Sequence, residues 1–153
     1  MLCLVGLLLP GCATLVVPYK QEFKIISQVP DISVSLTPTG SIWNASIINN
    51  SDKTIKFLID ESCYVTTDGR VDRLIRGQTR KISSDRSQPT MSIPSKARYN
   101  DFLIPEKFAS LDDYSLMYPP NPVDLTKKAK IYLIFEINGE KKTWSSEIQF
   151  IKQ

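Results

Sequence analysis

The sequence predicts an all-β protein, an antiparallel immunoglobulin-like β-sandwich with at most one short helix. Two observations support this fold class. Short runs in which apolar and polar residues alternate recur along the chain, and a period of two is typical of half-buried strands. Turn residues (Pro, Gly, Asn and Asp) separate these runs. Many short strands joined by such turns form a sandwich or a barrel, and a barrel of similar strand number remains the alternative.

The N-terminal third contains one irregular and one regular pattern. Residues 12–30 mix apolar and charged residues without a clear period, so we predict a tether there, with a possible strand at Phe23 to Ser27. From Ile32 to Thr37, Ile, Val and Leu alternate with Ser and Thr, which predicts the first regular strand. The sandwich domain is therefore expected to cover residues 31–153.

A hairpin is predicted between Ile42 and Ile59, because two runs of β-branched and aromatic residues flank the polar turn Asn49-Asn50-Ser51-Asp52. The polar segment from Gln78 to Gln88 is expected to form a surface loop or a ragged edge strand. Four shorter strands are predicted at Cys63 to Thr67, Arg70 to Ile75, Met91 to Ile93 and Tyr99 to Ile104.

The C-terminal third contains the one predicted helix and the clearest hairpin. Glu106 to Met117 follows a proline and carries aromatic and leucine residues at helical spacing, which predicts a helix. Lys130 to Ile137 and Lys142 to Ile151 flank Asn138-Gly139, the pair favoured in a type I′ turn. We therefore expect the last two strands to be direct neighbours.

The apolar start of the chain predicts an export signal. Leu2 to Leu9 has the length of a secretory h-region, far short of the roughly 20 residues that a membrane-spanning helix needs. Since no Lys or Arg precedes Lys20, we expect the natural start to lie upstream of Met1 or the sequence to be truncated. Leu9-Pro10-Gly11-Cys12 resembles the bacterial lipobox, in which a signal peptidase cuts before a cysteine that then carries acyl chains.

The lipobox resemblance implies an address for the protein. Residues 1–11 would be a lipoprotein signal peptide, and Cys12 would be the lipidation site that holds the protein on membrane lipid. Ala13 after the cysteine implies delivery to the outer membrane, facing the periplasm or the cell surface. The alternative is that Cys12 is an ordinary buried cysteine of an apolar N-terminal strand.

A second resemblance covers the middle of the chain. It is carried by Ile47-Ile48-Asn49-Asn50-Ser51, Lys56-Phe57-Leu58-Ile59-Asp60-Glu61-Ser62, Asp68-Gly69-Arg70, Arg73-Leu74-Ile75, Ile93-Pro94 and Ile104-Pro105. In this order, the stretch from Ile42 to Pro105 resembles small immunoglobulin-like bacterial lipoproteins of unassigned function. The resemblance implies a fold and an address, and it implies no catalytic residue.

The amino-acid composition argues against several enzyme classes. The chain has no histidine, which removes the commonest general base and the commonest transition-metal ligand. Of the three cysteines, Cys3 would leave with the signal and Cys12 would be acylated, so no intrachain disulfide is expected. Cys63 is predicted to be a small core residue, with a reactive or intermolecular thiol as the alternative. We expect no metal, no cofactor and no enzymatic activity.

Positive charge is concentrated between Arg70 and Arg98, a segment that contains eight basic and two acidic residues, although the net charge of the chain is only +3. Such a run fits an acidic partner or anionic headgroups, and the alternative is a solvated surface with scattered ion pairs. Nucleic acid is not expected, because no aromatic residues are interleaved with the arginines. The candidate partner-binding residues are Arg70, Arg73, Arg76, Arg80, Lys81 and Arg86.

Two pairs of adjacent carboxylates, Asp60-Glu61 and Asp112-Asp113, raise the possibility of a glycosidase or a calcium site. Neighbouring strand residues point to opposite faces, so Asp60 and Glu61 would not share a substrate without a bulge. Trp43 and Trp144 lie in predicted strands beside apolar residues, and we predict that both pack in the core. Tyr114 to Pro122 could form an exposed knob for protein recognition or a crossover loop.

The sequence therefore favours a membrane-anchored, non-enzymatic binding or structural module of the cell envelope. Such a module would dock an envelope protein through an edge strand or its loops, since an open sandwich has unpaired edges. One alternative is an anchored carboxylate-dependent hydrolase that acts on envelope glycans. Another is a small lipid-binding or exclusion lipoprotein, which would need an apolar pocket or patch.

Overall fold

The computed structural model describes residues 19–39, 42–77, 87–108 and 125–152. In these ranges the strands pair antiparallel throughout, so the predicted all-β, antiparallel fold is confirmed. Short 3-10 turns lie at Ile59–Glu61 and Glu106–Phe108. The strands are β1 (Tyr19–Ser27), β2 (Ile32–Thr39), β3 (Ile42–Asn49), β4 (Ile55–Phe57), β5 (Cys63–Val65), β6 (Val71–Arg76), β7 (Met91–Ile93), β8 (Arg98–Pro105), β9 (Ala129–Ile137) and β10 (Glu140–Lys152).

The strands form one hydrogen-bonded sheet in the order β1-β10-β9-β5-β6-β8-β3-β2. Outside this order, β4 pairs with both β9 and β7. β6 joins the two halves, because its first residues pair with β5 and its last with β8. The sheet wraps into a near-barrel. Since β1 and β2 end the order, an unpaired seam lies between these two described strands. The immunoglobulin-like sandwich stays a prediction.

β1 begins inside the range predicted as a tether. It starts at Tyr19 and pairs with β10 over its full length, four residues before the possible strand at Phe23. Two features explain why the sequence of β1 does not show a regular alternation of apolar and polar residues. Gln21 occupies an inward position, and the register shifts between Ile25 and Ser27. The remainder of the predicted tether and signal, including Cys12, lies outside the described residues.

The predicted helix is represented by its first residues only. The chain forms a 3-10 turn at Glu106–Phe108, and residues 109–117 lie outside the described ranges. Two other predicted features, Asp112-Asp113 and the segment from Tyr114 to Pro122, also lie outside the described residues. In the part of the chain that the structure describes, no helix has the length and apolar character needed to cross a membrane.

The core is built from the inward residues of strands on both halves of the sheet. Trp43 and Trp144 are 2% and 3% exposed, which confirms the prediction that both pack inside. The prediction for Cys63 is wrong, because Tyr64 is the inward residue of β5 and is 5% exposed. Cys63 lies on the opposite, outer face and is half-buried. The fully buried side chains include Ile47, Ile55, Phe57, Ile59, Leu74, Ile131, Leu133 and Phe135.

Strand registers give the molecule two distinct ends. β1 begins and β10 ends at the same level, because Tyr19 is opposite Lys152. We call this end the entry pole. At the other end, Ile32 is opposite Asn49 and Ile55 is opposite Ile93. The loops 28–31, 50–54, 94–97 and 138–139 therefore meet there, and we call this end the loop pole.

Candidate functional site

One buried side chain organises the loop pole. Asn49 ends β3 and is 0% exposed. Three carbonyl oxygens lie within hydrogen-bond distance of its Nδ2, those of Lys53 (2.7 Å), Ile93 (3.0 Å) and Pro94 (2.9 Å). Because the amide has two N–H donors, one of them is shared between two of these oxygens. Its backbone N–H donates to the carbonyl of Ala97 at 2.9 Å. Because a buried amide must be satisfied by hydrogen bonds, Asn49 fixes the 50–54 and 94–97 loops to the same strand end.

Further hydrogen bonds connect the loops to one another. The backbone N–H of Asn50 donates to the carbonyl of Asp31 at 2.7 Å, which ties the 28–31 loop to the 50–54 loop. Ser95 Oγ donates to the Ser51 carbonyl at 2.9 Å, and Lys96 Nζ donates to the Asn50 carbonyl at 2.6 Å. Three loops that are distant in sequence are therefore held as one unit.

The loop pole also contains all three non-glycine residues with positive φ among the described residues. These are Asp31 (63°), Lys96 (58°) and Asn138 (53°). Asp and Asn tolerate the left-handed region, whereas a lysine there is unusual. Such residues persist only where their surroundings fix them, and they cluster at functional sites. Lys96 Nζ bonds to Asn50 and pairs with Asp52 at 3.0 Å, which holds this backbone.

The loop pole is therefore a preorganised surface. Loops that a rigid scaffold positions carry many binding functions, and a surface that is ordered beforehand loses less entropy when it binds. The sequence did not indicate this surface. Asn49 was predicted only as a turn residue, because its acceptors at Ile93 and Pro94 are far away in sequence.

The basic run does not form one continuous patch in the described residues. Arg70 pairs with Asp68 at 2.8 Å, and Arg73 pairs with Asp60 at 2.6 Å. Arg76 lies on the same side of the sheet as Leu103, which is a core residue, so it points inward. The other candidate partner-binding residues, Arg80, Lys81 and Arg86, lie outside the described residues.

Asp60 is an anchor for the chain that follows the basic segment. It accepts hydrogen bonds from Arg73 Nη2 (2.6 Å), Ser87 Oγ (2.5 Å) and the backbone N–H of Gln88 (2.9 Å). Burial by itself would raise the pKa of Asp60, but the bonds from Ser87, Arg73 and Gln88 together outweigh burial and lower this pKa to about 2. Glu61 binds a different cation, Lys141, at 2.7 Å. The two carboxylates therefore diverge.

Gln88 completes this anchor. Its side chain is buried, and it accepts from the Arg76 N–H (2.8 Å) and donates to the Leu74 carbonyl (2.9 Å). At the other end of the segment, the Gly77 N–H donates to the Phe102 carbonyl at 2.8 Å. The described residues Gly77 and Gln88 are thus fixed to β8 and β6, respectively.

A polar cluster lies on the inner face where β6 approaches β8. Tyr99 Oη donates to Asp101 Oδ2 at 2.6 Å, and the Arg76 guanidinium near the same hydroxyl opposes the rise in the pKa of Tyr99. Burial, together with the bond to Asp101, raises the pKa of Tyr99 to about 12. The hydroxyl is therefore neutral at ordinary pH. Polar residues at inward positions of β8 were the available sequence signal for this cluster.

In the described ranges, no three Cys, Asp or Glu side chains are grouped so that they could hold a metal ion. Comparisons with protein-family models, with curated proteins and with solved structures give no match to this chain. Its function must therefore be inferred from its own residues.

Proposed function

We propose that this chain is a membrane-anchored bacterial lipoprotein that acts as a non-enzymatic binding or structural module of the cell envelope. Acylated Cys12 would hold it on the membrane, facing the periplasm or the cell surface. An envelope protein would be its partner. The lipobox resemblance of Leu9-Pro10-Gly11-Cys12 supports the anchor, and the geometry of the two poles supports the binding role.

The observation that carries the proposal is the position of β1. Cys12 lies seven residues before Tyr19, and a fully extended chain of that length spans at most about 24 Å. Tyr19 belongs to the entry pole. An anchor at Cys12 would thus keep the entry pole near the headgroups and direct the preorganised loop pole away from the bilayer, where a protein partner can reach it.

Binding fits the described carboxylates better than hydrolysis does. A glycosidase needs two carboxyl groups that face each other across a cleft. Asp60 is held by Arg73, and Glu61 is held by Lys141, so this pair does not converge on a shared substrate.

Fatty-acid labelling tests the anchor. Cells that express the full chain are fed an alkyne-labelled fatty acid, and Cys12→Ser is compared with the unsubstituted chain. We expect label on the unsubstituted chain and none on Cys12→Ser. Cys63→Ser is the matched control and keeps the label. Equal labelling of Cys12→Ser, or no label on the unsubstituted chain, rules out the anchor.

Site-specific photocrosslinking tests the orientation. A benzophenone amino acid is placed either at Lys53, on the loop pole, or at Lys152, on the entry pole, and native membranes are irradiated. We expect protein adducts from position 53 and lipid adducts from position 152. Lipid adducts from position 53, or protein adducts from position 152 alone, would contradict this orientation.

A further inference from the structure

The strand β2 has one edge without a strand partner among the described residues. β2 pairs with β3 only. The Asn50 N–H donates to the Asp31 carbonyl, and the Asn49 N–H donates to the Ala97 carbonyl of the segment before β8. In an antiparallel ladder, hydrogen-bonded pairs alternate along the strand. Ser33, Ser35 and Thr37 therefore bond to β3, whereas Val34 and Leu36 direct their N–H and C=O groups to the free edge.

The other terminal strand, β1, is protected by charges and a register shift, whereas β2 has only Pro38 near its C-terminal end. β1 carries Lys20, Glu22 and Lys24 on its outward face and has a register shift between Ile25 and Ser27. Charges and bulges of this kind prevent strand addition at an edge. In contrast, no residue of β2 is charged. Pro38 lacks an N–H, which limits regular pairing to the part of β2 before it.

The two faces of β2 define the chemistry of an added strand. Val34 and Leu36 are half-buried and pack against the core, whereas Ser33, Ser35 and Thr37 are exposed. A strand that pairs with the free edge continues both faces. Its inward residues would lie beside Val34 and Leu36 and must be apolar, because a charge there would lose its water without a partner. Its outward residues would lie beside hydroxyl groups.

A second copy of this chain does not fit this edge if the chain is anchored. Two β2 strands that pair antiparallel edge to edge are related by a two-fold axis that lies between them and is perpendicular to the sheet. Tyr19 lies at one end of the strands, so that axis would place the two entry poles at opposite ends of the dimer. The two anchors could not enter the same membrane. The neutral edge therefore fits a segment of a different protein.

We propose that the free edge of β2, from Ser33 to Thr37, receives an extended, uncharged segment of an envelope partner, in which every second residue is apolar. This inference rests on the proposed function, and it adds the edge of β2, which begins at the loop pole, to the surface that the partner contacts. The added strand forms backbone hydrogen bonds with Val34 and Leu36. It also covers the apolar side of the seam between β1 and β2.

Amide hydrogen exchange on the full chain in detergent micelles tests this contact. The probe is a heptapeptide of alternating threonine and valine. We expect the Val34 and Leu36 amides to exchange rapidly in the free protein and at least ~10-fold more slowly with saturating peptide. The Ser33 and Ser35 amides, which bond to β3, are the internal control and change little. Unchanged exchange at Val34 and Leu36 overturns the proposal.

Two other occupants give different results in the same experiment. Protection of Val34 and Leu36 that increases with protein concentration, without peptide, would identify a second copy. Protection at every concentration without peptide would identify another segment of this chain. Either result overturns the proposal. The exchange experiment is repeated with Cys12→Ser, which cannot be acylated at this position, so that the result at the β2 edge can be read independently of the anchor. Failure of fatty-acid labelling is therefore distinguishable from failure at the edge.

A matched pair of substitutions separates backbone from side-chain contact. Val34→Pro removes the free-edge N–H, and Val34→Ala shortens the side chain but keeps that N–H. We expect the peptide Kd, measured by fluorescence anisotropy, to rise at least ~10-fold for Val34→Pro and at most ~3-fold for Val34→Ala. Equal effects of both substitutions would contradict strand addition. If Val34→Pro does not fold, the exchange experiment on the unsubstituted chain decides.

Discussion

The indole Nε1 of Trp43 donates a hydrogen bond of 2.9 Å to Oε1 of Gln21. Trp43 is in β3 and Gln21 is in β1, and these two strands are not neighbours in the sheet. The bond therefore joins the two halves of the near-barrel across the interior. It also explains why a glutamine occupies an inward position of β1, since a buried indole N–H needs an acceptor.

Gln21→Ala should destabilise the fold by about 1–3 kcal/mol, the cost of leaving a buried donor without its acceptor. Trp43 is 2% exposed, so water does not readily replace the amide. Urea unfolding of both single variants and of Gln21→Ala with Trp43→Phe measures the coupling between the two residues. Additive effects would show that this bond contributes nothing to stability.

The sequence was sufficient for strands whose pattern is local. The hairpin of β9 and β10 was predicted because Asn138-Gly139 favours a type I′ turn, and both residues have positive φ, 53° and 79°. The predicted hairpin between Ile42 and Ile59 is wrong, because β3 pairs with β2 and β8 whereas β4 pairs with β7 and β9. The predicted strand from Thr54 to Ile59 is also shorter in the structure. It ends at Phe57, because Ile59–Glu61 forms a 3-10 turn. β1 was mostly missed, since Gln21 at an inward position is explained only by Trp43.

The candidate site could not be predicted for a different reason. The acceptors of Asn49 at Ile93 and Pro94 are 44 and 45 residues away, and no local pattern indicates such a contact. Similarly, Arg73 and Arg76 were grouped by sequence, but β6 passes from β5 to β8 between them. Arg73 pairs with Asp60, whereas Arg76 points to the interior. The acceptors of Asn49 and the different surroundings of Arg73 and Arg76 therefore both depend on pairing between strands that are distant in sequence.

Asn49→Ala should lower the free energy of unfolding by about 2–4 kcal/mol. It removes a buried amide whose two N–H groups are shared among three carbonyl oxygens, and the loss of a buried network of this kind is costly. Asn50→Ala is the matched control, because Asn50 Nδ2 makes one exposed bond to Ser33 and its loss should cost less than about 1 kcal/mol. Equal losses for the two variants, measured by chemical unfolding, would show that Asn49 does not organise the loop pole.

Substitutions at Lys96 test whether its positive φ of 58° is imposed by the loop pole. Lys96→Gly and Lys96→Val both remove the ammonium group that bonds to Asn50 and Asp52. They differ in that glycine adopts this backbone freely and valine does not. Lys96→Val should therefore be less stable than Lys96→Gly by about 1–2 kcal/mol. Thermal unfolding measures this difference, and a difference near zero would mean that the loop relaxes to another conformation.

The stability of the protein should fall in acid partly because of Asp60. Its pKa is about 2 in the folded chain against an ordinary 3.8, so the folded state favours the carboxylate. This contribution is fully present above the ordinary pKa and is lost as pH falls through the folded pKa. Urea midpoints measured at a series of pH values across this window should decrease less steeply for Asp60→Asn than for the unsubstituted chain. Ser87→Ala removes one donor to Asp60 and should give an intermediate slope, whereas identical slopes for all three proteins would mean that Asp60 does not anchor the 87–88 segment in solution.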